Sequence, residues 1–334
     1  MLLNGQVYPA GMFYIHKEHT MRFSHLYKTG LTLFFLLATT ISAQNYAPVF
    51  DFEKVMDTYF DDSGLISFQD GKIIFAPGNR LNAQVAVVDQ ENKVLARFPF
   101  HPRYKAHEGV YARALVQAPA DITLTKPGIY NIVYIVDGRP ATRLPFRLVQ
   151  TSAGDDPFNP RKEFAFDGYW RTFAFIIMDD WKGEEWPEVY YWLGGLDLPK
   201  GQNDDKQIVT LFRDGKMVAH SKTRNGFYKK GHFEKVHSHL YHIHPENKSY
   251  NARPFLLKDW LVDGVYELRV NRLSDKAALR SFDFRVVNGK IEGHPRSRLG
   301  YQPQTDYIAP RVQKRSSTYP ELVEAIWIED RQLK

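Results

Sequence analysis

The chain has 334 residues, of which 43% are apolar, 25% charged and 14% aromatic, a globular balance with length for two cores. It contains no Cys, which excludes disulfide staples, a lipidated cysteine anchor and a thiol nucleophile. The net charge is +6 and no basic run is interleaved with aromatics, so nucleic acid is not an expected partner.

Residues 1–43 read as an upstream extension followed by a signal peptide. Arg22 and Lys28 form a positive region, Leu31–Ala38 a short apolar one, and Ala43 a small residue before a cut at Gln44. Met21 is the natural start of that signal. The apolar run is too short for a stable membrane helix, and a single-pass anchor is the alternative. Loss of Lys17, Arg22, Lys28 and Glu18 with the segment lowers the net charge from +6 to +4. The mature chain is therefore expected in the periplasm, or secreted to the cell surface, with no stable membrane span.

From Gln44 to Gln150 the pattern is one of strands. Leu65–Phe68, Lys72–Phe75, Ala83–Val88, Val94–Phe98, Tyr111–Val116 and Ile122–Leu124 alternate or run apolar, with turn residues between them. No segment there has a helical period. Residues 151–162 (TSAGDDPFNPRK) are small, acidic and Pro-containing, the composition of a linker.

A second strand-rich unit spans 163–293. It opens with Phe164–Phe166 and a long strand at Arg171–Met178. An acid- and Trp-rich loop at 179–187, a hairpin about Asp214-Gly215 and a His-rich strand at 232–244 follow. Residues 294–334 form a C-terminal extension whose Leu322–Ile328 is apolar enough to pack on another element.

Each unit closes on a similar hairpin, PGIYNIVYIVDGRPATRLPFRLV at 127–149 and DGVYELRVNRLSDKAALRSFDFRVV at 263–287. Gly128 and Tyr130 stand where Gly264 and Tyr266 do, and Leu124 where Trp260 does. Asp263-Gly264-Val265-Tyr266-Glu267-Leu268 resembles the tyrosine corner of immunoglobulin-like sandwiches. The resemblance implies that each Tyr hydroxyl bonds back to the chain just upstream. It also implies that Leu268 and Ile132 replace the buried Cys of that family, and that Trp192 stands for its core Trp. The fold expected is all-β, two tandem immunoglobulin-like antiparallel sandwiches; the resemblance implies no activity.

Two features carry chemistry. Five histidines fall within 232–244, and imidazole suits Zn, Cu or Ni. Alternation places His237 and His239 on one face of the strand and His242 and His244 on the other. One regular strand thus offers a metal two rings, unless a bulge intervenes or a ligand such as His220 or an Asp comes from elsewhere. The plain alternative is a half-exposed polar strand.

The second feature is the loop Asp179–Pro187, with Trp181 and Trp186 beside Tyr190 and Tyr191. Aromatics flanked by acids grip sugar rings; alternatively both Trp side chains fold back as a lid on the core. Burial of both would remove the sugar reading. The acid pairs Asp179-Asp180 and Glu184-Glu185 read as solvated charge rather than a glycosidase couple. No nucleophile elbow, zinc-protease motif or phosphate loop is present. Arg143, Arg147, Arg269, Arg280 and Arg285 on the closing hairpins are expected to face solvent.

The reading is an exported, non-catalytic binding or scaffold protein for a polysaccharide or a cell-surface partner. The alternative is a metal-binding protein or metal-dependent enzyme built on His237, His239, His242 and His244.

Overall fold

Two-residue turns set the long hairpins. Asp214 (φ 51°) and Gly215 (φ 76°) are both left-handed. That is the type I′ geometry whose twist matches paired strands, and it folds β14 (Asp205–Arg213) onto β15 (Lys216–Ser221). Lys182 (φ 55°) and Gly183 (φ 83°) do the same between β12 (Phe173–Trp181) and β13 (Glu184–Gly194).

The computed structural model describes residues 49–50, 59–68, 72–75, 82–103, 112–116, 120–152, 162–194, 205–222, 224–226, 233–243, 253–295, 311–313 and 322–330. The expected signal segment 1–43, most of the 151–162 linker, and His232 and His244 lie outside them. Among the described residues no helix is long and apolar enough to cross a membrane.

Among the described residues, the first half forms an antiparallel sheet of eight strands. They are β1 (Val49–Phe50), β4 (Lys72–Phe75), β7 (Ala112–Val116), β6 (Val94–Arg103), β5 (Ala83–Asp89), β9 (Gly128–Val136), β10 (Arg139–Ser152) and β11 (Lys162–Asp167), in that spatial order. A small sheet of β2 (Tyr59–Phe60), β3 (Leu65–Ser67) and β8 (Asp121–Thr123) accompanies it. Phe164–Phe166, the expected opening of the second unit, is thus hydrogen-bonded to the first sheet through β10.

In the second half the pairing runs into a ring. β12 pairs β13, which pairs β17 (Phe233–His242), and β17 continues to β15, β14 and β18 (Gly264–Arg272). β18 pairs β19 (Ala278–Val287), β19 pairs β23 (Ile326–Asp330), and β23 returns to β12. Short strands β16 (Arg224–Gly226) and β20 (Lys290–Glu292) pair β14 and β19 from outside the ring, and β21 (Arg311–Gln313) pairs β22 (Leu322–Glu324).

The chain is all-β, as its alternation predicts. Its strands do not establish two immunoglobulin-like sandwiches in tandem. A sandwich holds two sheets face to face, whereas here the second-half ladder closes on itself and removes the free edges. The closing strand comes from the C-terminal extension.

A ring of eight strands is just wide enough to be filled by side chains. Val189, Tyr191, Leu211, Leu240, Leu268 and Phe282 are among those that fill it, each fully buried. The one-turn helix α1 (Leu257–Trp260) adds buried Trp260, stacked on Phe284 with ring centroids 5.9 Å apart, to this core. Arg280 shares the inward parity of Phe282 and Phe284 and is only 3% exposed. It is not a solvent-facing position like Arg147, because the period of two assigns it to the core side.

The alternate residues of β12, β13 and β23 make the outer wall. Phe175, Tyr190, Trp192 and Trp327 belong to one buried cluster with Val87, Tyr134 and Phe146 of the first sheet. Phe175 stacks on Tyr190 at 4.7 Å, and Trp192 lies parallel to Trp327 at 6.3 Å. Such pairs add ~0.5–1.5 kcal/mol each beyond their buried area. Trp192, expected as a sandwich core residue, therefore works as a bridge between the two halves.

Both tyrosine corners are formed. The Tyr130 hydroxyl donates to the Lys126 carbonyl at 2.7 Å, and that of Tyr266 to the Val262 carbonyl at 2.8 Å.

Candidate functional site

The wall that leaves the shared aromatic core is built from β12, β13 and β17. In register, Glu188 of β13 stands opposite Ile177 on one side and His239 on the other, and Tyr190 opposite His237. Side chains of one parity meet on the outer face. Asp179, Glu188, His237 and His239 are gathered there.

Glu188 is the centre of the group and only 1% exposed. Its Oε1 lies 2.5 Å from Nδ1 of His237, and its Oε2 accepts the Tyr190 hydroxyl at 2.6 Å. His239 is placed between the two acids, with Nδ1 3.7 Å from Glu188 Oε1 and Nε2 3.6 Å from Asp179 Oδ2. Burial opposes charge on Glu188. The hydrogen bond from His237, the field of His239 and the bond from Tyr190 outweigh it, and the carboxyl is held below the usual range.

The Trp186 ring stacks on His239, with centroids 3.9 Å apart and planes 33° from parallel. Its own indole N–H donates to the Leu240 carbonyl at 3.1 Å. The His239 ring is thus fixed from one face by a side chain that is itself fixed.

The two tryptophans divide. Trp186 is 6% exposed, and Trp181, at the end of β12 beside the Lys182-Gly183 turn, is 40% exposed. Tyr191 points into the ring core and Tyr190 into the shared core. Neither has an open face to offer a ligand, because strand parity buries one on each side. Around Trp181, Lys182 Nζ sits 5.5 Å from the ring centroid, and Asp180, Glu184 and Glu185 are exposed. Glu184 pairs with Lys258 at 3.0 Å, and Asp180 Oδ1 accepts the Gly183 N–H at 3.4 Å, capping the turn.

His237 and His239 share one face, and His242 does not join them. The β15–β17 register runs without a shift through Leu240, Tyr241 and His242, so no bulge brings His242 round. Its Nε2 lies 3.0 Å from Asp259 Oδ2 on α1. His220 places Nδ1 2.9 Å from the Ser221 carbonyl. The site acquires its acids from the neighbouring strands. In the sequence Asp179 reads as half of an acid pair, and Glu188 belongs to no motif. The signal for Glu188 is its place directly against the apolar run Val189–Leu193, since a carboxylate buried there must be charge-paired.

Elsewhere, a cleft of about 390 Å³ lies between Ile129, Phe146, Arg147, Asp167 and Thr172. Its polar wall is already paired, with Asp167 bridging Arg147 and Arg171 at 2.7 Å each.

A scan against protein-family models and searches of curated proteins and of solved structures find no match to this chain.

Proposed function

We propose that this is an exported, non-catalytic binding or scaffold protein that meets a polysaccharide or a cell-surface partner through the β12–β13 hairpin end. The observation that carries the reading is Trp181. It stays 40% exposed while Trp186, Trp192, Trp260 and Trp327 are buried. An indole left open at the end of β12, beside a two-residue turn and opposite Glu184 in register, supports stacking on sugar C–H groups with that acid accepting from hydroxyls. Residues 44–150 and 163–293 are read as the two arms of that scaffold, joined through the shared aromatic core.

Binding of the purified chain to an array of bacterial polysaccharides, beside Trp181→Ala, tests the ligand. Retention by wild type and its loss in the variant is expected, and equal retention by both would discard the hairpin as the contact. Export is tested separately by cell fractionation and N-terminal sequencing. A periplasmic or extracellular chain beginning at Gln44 is expected, and a cytoplasmic chain retaining residues 22–43 would refute it.

A further inference from the structure

We propose that Asp179, Glu188 and His239 form a binding site for a divalent transition metal of the zinc class, with His237 and Tyr190 as positioning residues for Glu188. The site is distinct from the Trp181 hairpin end and does not depend on the reading of that end as a binding surface.

Three adjacent strands of one wall each supply one donor, and one ligand atom from each of the three residues lies within 4.8 Å of the others. The separation between His239 Nε2 and Asp179 Oδ2, 3.6 Å, is close to the edge of a zinc tetrahedron, whereas the 3.7 Å to Glu188 Oε1 is measured from the other ring nitrogen, Nδ1. Bond lengths of about 2.0–2.2 Å to N and O set that edge at roughly 3.3–3.5 Å. Because one ring nitrogen serves the ion, the second carboxylate, within 4.8 Å of the other two ligand atoms, must approach by roughly an ångström to complete the set.

The donor set selects the metal. Imidazole with two carboxylates suits zinc and its neighbours, whereas Ca²⁺ takes six to eight oxygens and Mg²⁺ keeps most of its waters. Three protein ligands leave a fourth position for water or a ligand oxygen. Asp179 and His239 have side chains 15% and 21% exposed, so an ion can enter from solvent while Glu188 waits beneath them.

The surroundings match what metal ligands require of their neighbours. His237 and Tyr190 bond the two oxygens of Glu188 and set its plane. Trp186, tied to the Leu240 carbonyl, sets the plane of His239. Two carboxylates are set beside one imidazole, and a divalent ion held between them would offset their mutual repulsion.

The experiment uses the full chain purified without a histidine tag and stripped with chelator. Zinc is added in a calorimetric titration and in thermal unfolding scans, and Co²⁺ is followed by its visible absorption. One equivalent of zinc is expected to bind and raise Tm, and Co²⁺ to give the intense bands of a four-coordinate ion. Asp179→Asn and His239→Ala should each abolish the stoichiometric binding, the Tm rise and the Co²⁺ bands. His237→Ala should weaken zinc by about 10–100-fold, and His242→Ala should leave it unchanged. If His239→Ala fails to fold by circular dichroism, Asp179→Asn decides, since it alters a partly exposed side chain of similar shape. Absence of saturable zinc binding overturns the proposal. So does one-equivalent binding that survives Asp179→Asn, which would place the ion elsewhere.

Discussion

Tyr130 and Tyr266 make the same bond in the two halves of the chain, each donating its hydroxyl to the carbonyl four residues upstream. Each ties the first turn of a long strand to the loop that delivers it. The rings are also stacked alike, Tyr130 on Phe146 at 5.6 Å and Tyr266 on Phe284 at 5.1 Å. In each half the upstream anchor, Leu124 or Trp260, is buried. The repeat is therefore one of physical construction as well as of letters.

Removing either hydroxyl leaves a carbonyl without its donor while the ring still fills its place. Tyr130→Phe and Tyr266→Phe should each lower stability by about 1 kcal/mol, read as a fall in the urea midpoint at unchanged slope. A midpoint equal to wild type in both variants would show that water replaces the bond.

The same two phenols give the protein an alkaline limit. Burial raises the pKa of both, helped at Tyr130 by Asp89; at Tyr266 burial, with smaller help from Asp214 and Asp263, outweighs the hydrogen bond and field of Arg213. A group whose folded pKa is raised contributes stability that is complete below its unfolded value, about 10. That stability is lost as pH rises through the folded value. Unfolding free energy should fall above about pH 10, and less steeply in the double Phe variant; equal slopes would exclude the phenols as its source.

Asp167 separates a part-buried ion-pair partner from an exposed one. Desolvation opposes its charge, but bonds from Arg171 and Arg147 outweigh that and lower its pKa. Arg171 has a side chain 13% exposed and Arg147 one 61% exposed. Arg171→Ala should cost about 1.5–3 kcal/mol, and Arg147→Ala under about 0.5 kcal/mol. The contribution of Asp167 is present above its unfolded pKa and lost as pH falls through the lowered folded one. The cost of Arg171→Ala should therefore shrink in acid, and a pH-independent cost would assign it to packing.

The two hairpin tryptophans should behave oppositely. Trp186→Ala removes a ring packed against His239, Tyr241 and Trp181, and should cost about 3–5 kcal/mol. Trp181→Ala should stay within roughly 1 kcal/mol, since that ring is 40% exposed. Chemical denaturation of both variants checks the contrast, which vanishes if Trp181 is the anchor of the pair.

Much of the local structure was written in the sequence. The alternation that marked Lys72–Phe75 and Ala83–Val88 returns as β4 and β5. Asp214-Gly215 makes the turn its residue types demand, and both Gly-x-Tyr hairpins form their corner bonds. The opposite faces of His239 and His242 were equally readable. All of these follow from a period of two and from turn chemistry, which act within a few residues.

Partner choice between strands is another matter, because every edge offers the same N–H and C=O groups. Nothing in Ile326–Asp330 says that it pairs between β12 and β19 to close the ring. Nor does β17 say that its histidines will face Glu188 and Asp179 of β13 and β12. The sequence alone determined the strands, their turns and the side each residue faces. Only the tertiary structure decided which strands became neighbours, and hence that a ring closed and that two acids met His239, because those pairings rest on contacts between residues far apart in the chain.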